Sequence, residues 1–243
     1  MSLKALIWDV DGTVAETERD GHRVAFNAAF EAQGLPWHWD VAQYGRLLQV
    51  TGGRERLLHD MAARPDAPAT PAARDALARE LHRRKNLLYA DLVARGGIGA
   101  RPGVLRLMDE CRHAGVMLAV ATTTSRSNVI ALFENLLGIG WGRRFDAVVC
   151  AEDAPMKKPH PQVYQMVLQR LAIQAGEAFA LEDAPNGLQA ARAAGIACGV
   201  TFSAYFADSH FEGAAWVREH LDQRPGMTLA RLQDTRTGTI AVS

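Results

Sequence analysis

Apolar positions along the chain fall into two textures. Leu3 to Trp8 is a short apolar run of the kind that forms a strand buried on both faces. From Glu18 to about Gly96 the spacing is helical: Phe26 and Phe30 share a face, as do Leu77 and Leu81, then Leu88 and Leu92. Thr70-Pro71 supplies a cap and a first-turn proline, and no convincing strand interrupts the region. From about Arg101 onward, short apolar runs alternate with amphipathic stretches. The pattern predicts a helix from Val104, a strand over Val116–Ala121 and a helix through Val129, Leu132, Phe133 and Leu136. A strand over Ala147–Cys150, a helix opening at Pro161, a strand over Ala178–Leu181, a helix from Gly187 and a strand over Ile196–Val200 follow. Such alternation predicts an α/β fold, a parallel sheet covered by helices, with residues 17–96 as an all-helical insert in a body formed by 1–16 and 97–243. The last twenty or so residues carry no clear pattern and are expected to be peripheral.

Composition narrows the class. With 243 residues, 48% of them hydrophobic, the chain can bury one sizeable core and carry a second small domain. Its formal net charge is zero, so nothing marks it for nucleic acid or an acidic membrane. Cys111, Cys150 and Cys198 lie far apart with no C-x-x-C, which suits reduced thiols packed as small core residues. No apolar stretch is long enough to span a bilayer, and Met1 to Lys4 is too short for a signal region before the first strand. A cytoplasmic monomer is expected.

The candidate chemistry sits behind the first strand, at Asp9-Val10-Asp11-Gly12-Thr13. Acids leaving a hydrophobic strand at its carboxyl end lie where open α/β sheets build ligand crevices. Asp9 suits a nucleophile and Asp11 an acid/base two residues on. Alone, the pentapeptide could equally be a turn. A calcium loop counted from Asp9 fails, because it needs Gly sixth and Glu twelfth, where the chain has Val14 and Asp20.

Matching pieces recur at later strand ends. Val116–Ala121 runs into Thr122-Thr123-Thr124-Ser125, hydroxyls that could hold an oxyanion before a helix or merely cap it. Met156-Lys157-Lys158-Pro159 puts an ammonium ahead of the next helix, either to offset anionic charge or simply solvated. Glu182-Asp183 either share a hard cation such as magnesium or face a helix N-terminus. Four such pieces in order, each ending a separate strand, are an improbable coincidence. The glycines of Gly96 to Gly103 fit no dinucleotide motif, and no phosphate-cradling G-x-x-x-x-G-K-[ST] occurs.

Taken together these residues resemble the haloacid dehalogenase superfamily of phosphohydrolases. Asp9 and Asp11 match its first motif, Thr122 its second, Lys158 its third and Glu182-Asp183 its fourth. The resemblance implies a Rossmann-like core with a mobile helical cap, an aspartyl-phosphate on Asp9, and Mg2+ held by Asp9, Asp11, Glu182 and Asp183. Asp11 also separates the chain from true dehalogenases of the superfamily, which lack it.

The insert adds detail. The run Glu16 to Asn27, Trp37-His38-Trp39-Asp40, Tyr44, Thr51 to Arg56 and Phe211 to Ala214 resemble the CbbY proteins over nearly the whole chain, least at the C-terminus. This implies a sugar-phosphate substrate, xylulose-1,5-bisphosphate, losing its C1 phosphate. Arg54, with Lys85, is then suited to the second phosphate, Glu18, His22 and Tyr44 to hydroxyls, and Thr123 to a further contact. Arg54 stands where relatives often carry lysine. Trp37 and Trp39 are read as packing. The same motifs also occur in β-phosphoglucomutases and phosphoglycolate phosphatases, so a phosphomutase or another small phosphate ester stays open.

Overall fold

The computed structural model describes residues 2–236. Among these, six parallel strands form one sheet: β1 (Ala5–Trp8), β2 (Met117–Ala121), β3 (Ala147–Val149), β4 (Ala178–Glu182), β5 (Ala197–Thr201) and β6 (Trp216–Arg218). Their order is β3-β2-β1-β4-β5-β6. β1 therefore lies between β2 and β4, and the strand order reverses beside it, which opens a crevice at the carboxyl ends.

Alternation along the strands sorts side chains by size. Leu6 and Trp8 of β1, Leu118 and Val120 of β2, and Phe179 and Leu181 of β4 face one side. Ala5, Ile7, Ala119, Ala121, Ala178 and Ala180 face the other, and these mostly small residues allow close approach of α7 (Gln162–Leu171) and α8 (Pro185–Ala193). The large-residue side is covered by α5 (Val104–His113), α6 (Arg126–Leu137) and α9 (Leu229–Arg236).

Residues 18–94 carry a single π-helical turn (Glu18–His22), α1 (Arg23–Ala32), α2 (Val41–Leu47), α3 (Gly53–Ala62) and α4 (Pro71–Ala94). They enclose their own cluster of Phe26, Phe30, Trp39, Tyr44, Leu57 and Leu81. Both tryptophans pack as expected: Trp39 Nε1 donates to Asp60 at 2.9 Å and Trp37 Nε1 to Asp66 at 2.7 Å. Thr70 caps α4, accepting from the Ala73 amide at 3.2 Å with Pro71 at the first position. The segment leaves and returns side by side, since Ala15 bridges Ala100. It also rests on the body: Tyr205 packs against Gly45, Phe206 joins the helical cluster, and Asn186 Nδ2 donates to Thr51 at 3.3 Å.

Most elements shift by a residue from the bounds the sequence pattern predicts, and four differences stand out. β1 begins at Ala5 rather than Leu3, and α8 opens at Pro185, two residues before Gly187, because proline favours the first helical turn. β6 is too short for its alternation to be distinctive. α9 lies in the C-terminal stretch read as patternless, yet buries Leu229 and Leu232 against the sheet-side cluster. Residues 237–243 of that stretch lie outside the described residues.

Candidate active site

Four strand ends converge. Asp9 follows β1 and is buried; its Oδ1 accepts from Lys158 Nζ at 2.7 Å and its Oδ2 from the Thr13 hydroxyl at 3.1 Å. Lys158 arrives on the loop after β3 and crosses β2, donating also to the Ala121 carbonyl at 3.0 Å and to Glu182 Oε1 at 2.6 Å. Glu182 ends β4 and takes a second hydrogen bond from Tyr164 of α7. Asp183 follows, so close to Gly12 that a Cβ there would lie 2.1 Å from its Oδ2. Gly12, at a φ of 85°, suits a conformation that side chains rarely adopt.

The electrostatics follow from burying three acids with one ammonium, Lys158, bonded to two of them, Asp9 and Glu182. Asp9, Glu182 and Asp183 can each offer an oxygen within 4.8 Å of the others. Burial, and then the Glu182 charge, push Asp9 up to about 7 despite Lys158. Burial, and then the charges of Asp9 and Glu182, push Asp183 well above the usual carboxylate range. Asp11 behaves differently. Burial alone would raise it, but His22, the Thr17 hydroxyl and Lys85 hold it below the usual range.

The contacts on Asp11 come from the helical segment. Its Oδ1 accepts from Thr17 at 2.6 Å and meets His22 Nε2 at 2.8 Å, while Lys85 Nζ lies 2.8 Å from His22 Nδ1. An ammonium can only donate, so His22 accepts at Nδ1 and keeps its proton at Nε2, directed at Asp11. Lys85, buried and pushed down to about 8 by desolvation, thus sits beside the acid pair, with His22 and Asn86 as its bonded partners.

A cavity of about 620 Å³ joins this cluster to the helical segment. Asp9, Asp11, Glu18, His22, Arg54 and Lys85 all line it, together with Thr122, Thr123, Lys158, Glu182 and Asp183. Thr122 is buried and its hydroxyl accepts from the Thr124 amide at 3.2 Å. The helix-capping alternative gains no support, since Ser125 at the α6 N-cap makes no side-chain cap and Glu152 accepts from the Arg126 amide instead. Tyr44 does not line the cavity. It is fully buried behind Glu18, to which it donates at 2.5 Å, and accepts from Arg56 Nη1 at 2.7 Å. Arg54 pairs with Asp75, and its Nε is buried without a partner.

Several functional side chains escaped the sequence reading. Arg56 lines the cavity and orients Tyr44 and Glu18. His82 also lines it, pushed down to about 4 by burial and then by Lys85 and His22, and so stays neutral. Lys157, the neighbour of Lys158, reaches the same cavity with its ammonium on the Ala151 carbonyl at 2.8 Å. No spacing rule would have singled these out.

Comparison with known proteins accords with the geometry. The haloacid dehalogenase-like hydrolase family matches residues 3–195. The plasmid-encoded CbbY of Cupriavidus necator is 47% identical over 219 residues, covering 90% of this chain and 86% of that protein. CbbY from Rhodobacter sphaeroides, crystallised as an aspartate-to-asparagine mutant with xylulose-1,5-bisphosphate, superposes with a TM-score of 0.87 at 38% identity, over 95% of this chain and 99% of that one. β-Phosphoglucomutase from Clostridium difficile, at 19% identity and a TM-score of 0.75 over 97% and 98% of the two chains, shares the fold. An acid pair, hydroxyl, lysine and second acid pair meeting at neighbouring strand ends, with these similarities over most of the length, mean that the chain belongs to the haloacid dehalogenase-like hydrolases, as a phosphatase of the CbbY group.

Proposed function

We propose that the chain is a magnesium-dependent phosphatase that removes the C1 phosphate of xylulose-1,5-bisphosphate through an aspartyl-phosphate on Asp9. The observation that carries this reading is one cavity holding two chemistries. The acid cluster with Lys158 forms one part, and Arg54, Arg79, His82 and Lys157, none of them bonded to those acids, form another. A substrate with two phosphates would engage both. The relative crystallised with xylulose-1,5-bisphosphate covers nearly this whole chain.

In this reading an Asp9 oxygen attacks phosphorus while the bond to the sugar oxygen breaks, and Asp11 passes that oxygen the proton it took from water in the preceding turnover. Water then attacks the same phosphorus. Asp11, as the carboxylate that His22 and Thr17 favour, takes the water's proton, and phosphate leaves with Asp9 regenerated. Thr122 and Lys158 hold phosphate oxygens, and residues 17–96 act as the cap that excludes stray water.

The donors fit magnesium: three buried carboxylates offer hard oxygens within 4.8 Å of one another, and two of them, Asp9 and Glu182, share one ammonium. Asp9, Glu182, Asp183 and the Asp11 backbone carbonyl would hold the ion. When bound it would offset the repulsion between Asp9 and phosphate, about 4 kcal/mol per unit charge pair at about 4 Å and an effective dielectric near 20.

The function is tested by magnesium-dependent phosphate release from xylulose-1,5-bisphosphate, ribulose-1,5-bisphosphate, phosphoglycolate and β-glucose-1-phosphate, compared by kcat/KM. Preference for the xylulose compound is expected, and Arg54→Ala should raise KM for a bisphosphate much more than for a monophosphate. Preference for another ester overturns the substrate, isomerisation without phosphate release overturns hydrolysis, and equal KM effects remove Arg54 from the second phosphate.

Metal and proton binding should be linked. Asp9 and Asp183 have ordinary values of 3.8 and are raised in the folded chain. Between 3.8 and about 7 the unfolded chain releases the Asp9 proton while the fold retains it, so stability of the metal-free protein falls as pH rises through that window. Magnesium needs the ionised acids and should expel their protons. Calorimetry at pH about 6 in buffers of different ionisation enthalpy should therefore register proton release on magnesium binding; none would contradict the ligand set.

A further inference from the structure

We infer that Arg101 is a positioning residue: from the linker that returns to the sheet, it clamps the turn behind the acid pair onto the ends of β5 and β6 and so fixes that turn against Asp183. The inference rests on the reading of Asp9, Asp11 and Asp183 as the working acids, and not on the identity of the sugar.

The guanidinium is buried and reaches four backbone carbonyls belonging to three parts of the body. Nη1 donates to Gly12, in the turn after the acids, and to Thr201 at the end of β5, at 2.7 Å for the latter. Nη2 donates to Phe202 at 2.7 Å and to Glu219, after β6, at 2.5 Å. Nε lies 3.5 Å from Glu16 on the outgoing linker. Five donors in a rigid fan match this set, which three donors on a single ammonium could not span.

What lies between the clamped parts gives the clamp its consequence. Asp183 sits against Gly12, and Ser203, the next residue after Phe202, lies on the same side: a Cβ on Gly12 would be 2.1 Å from Asp183 Oδ2 and 3.1 Å from the Ser203 Cβ. The main chain repeats the link, because the Arg101 amide donates to the Val14 carbonyl at 2.9 Å. Phe202 also begins the loop that carries Phe206 into the cavity wall. Arg101 itself does not line the cavity, so it would influence the acids without touching substrate.

The test compares Arg101→Ala and Arg101→Lys with the wild type. Magnesium affinity is measured by calorimetry without substrate, and kcat and KM are measured separately, with circular dichroism to confirm folding. Both variants should lose magnesium affinity by about 10- to 100-fold, the usual cost of removing a group that orients a ligand. kcat at subsaturating magnesium should fall in parallel, while KM at saturating magnesium stays within about twofold. Millimolar guanidinium should restore affinity to Arg101→Ala by filling the vacated space. Magnesium affinity unchanged in a folded variant overturns the inference, and so does loss of stability with affinity intact. If Arg101→Ala does not fold, Arg101→Lys decides alone. Failure of the wild type to bind magnesium would instead overturn the proposed function.

Discussion

Asp9→Asn is expected to abolish phosphate release while leaving substrate binding intact. The amide keeps the size of the side chain and can still meet the Thr13 hydroxyl and the Lys158 ammonium, which hold the carboxylate at 3.1 and 2.7 Å. It has no anionic oxygen to form the phosphoryl bond. Removing a nucleophile costs about 10⁴- to 10⁶-fold in kcat when nothing substitutes for it. The check pairs a sensitive phosphate assay with calorimetric titration of xylulose-1,5-bisphosphate, and mass spectrometry of the wild type quenched in acid for a phosphoryl adduct on Asp9. A variant with near wild-type turnover would remove the covalent mechanism. The Rhodobacter sphaeroides relative captured with xylulose-1,5-bisphosphate as an aspartate-to-asparagine mutant encourages the binding half of the expectation.

Lys158→Ala should damage both stability and rate. The ammonium is buried and donates to Asp9, Glu182 and the Ala121 carbonyl. Burial works against its charge, but Asp9 and Glu182 more than compensate and hold Lys158 above the usual lysine value. Deleting it leaves Asp9 and Glu182 facing each other without the ammonium that pairs with both. Breaking a buried pair on one side costs about 3–5 kcal/mol, and losing one preorganised donor to a reacting group costs about 10²- to 10³-fold in kcat. Urea unfolding without metal should register the first loss, with partial recovery on adding magnesium. Lys158→Arg should not restore the rate, because a planar fork cannot occupy the point between two carboxylates and a carbonyl. Stability within about 1 kcal/mol of wild type would mean that the acids are protonated without the lysine, since such a change is typical of an exposed pair.

Much of the body was legible because its strands are buried on both faces and therefore read as unbroken apolar runs. The acids, hydroxyl and lysine were legible because each follows such a run. β6 was not, since three residues carry no period, and α9 was hidden because only Leu229 and Leu232 anchor it. Within the site, Arg101 and Tyr164 act on backbone carbonyls or on another side chain brought near only by folding. Lys85, expected beside Arg54 at the second phosphate, lines the same cavity, and the turn Glu18–His22 sets His22 under its ammonium, a contact that only folding creates. Tyr44 looked like a ligand contact because a phenol can read hydroxyls, but Arg56 and Glu18 already occupy its oxygen.

The bridge between Ala15 and Ala100 has a consequence for how such a chain can change over generations. A stretch that enters and leaves through adjacent residues can be lengthened, shortened or exchanged for another without altering the span of any connection within the sheet. The reaction does not come through such an exchange untouched, because Thr17, His22 and Lys85 travel with the stretch and set the state of Asp11; a chimaera that receives a foreign stretch between these two alanines should keep its reaction only where that stretch brings equivalents of the three.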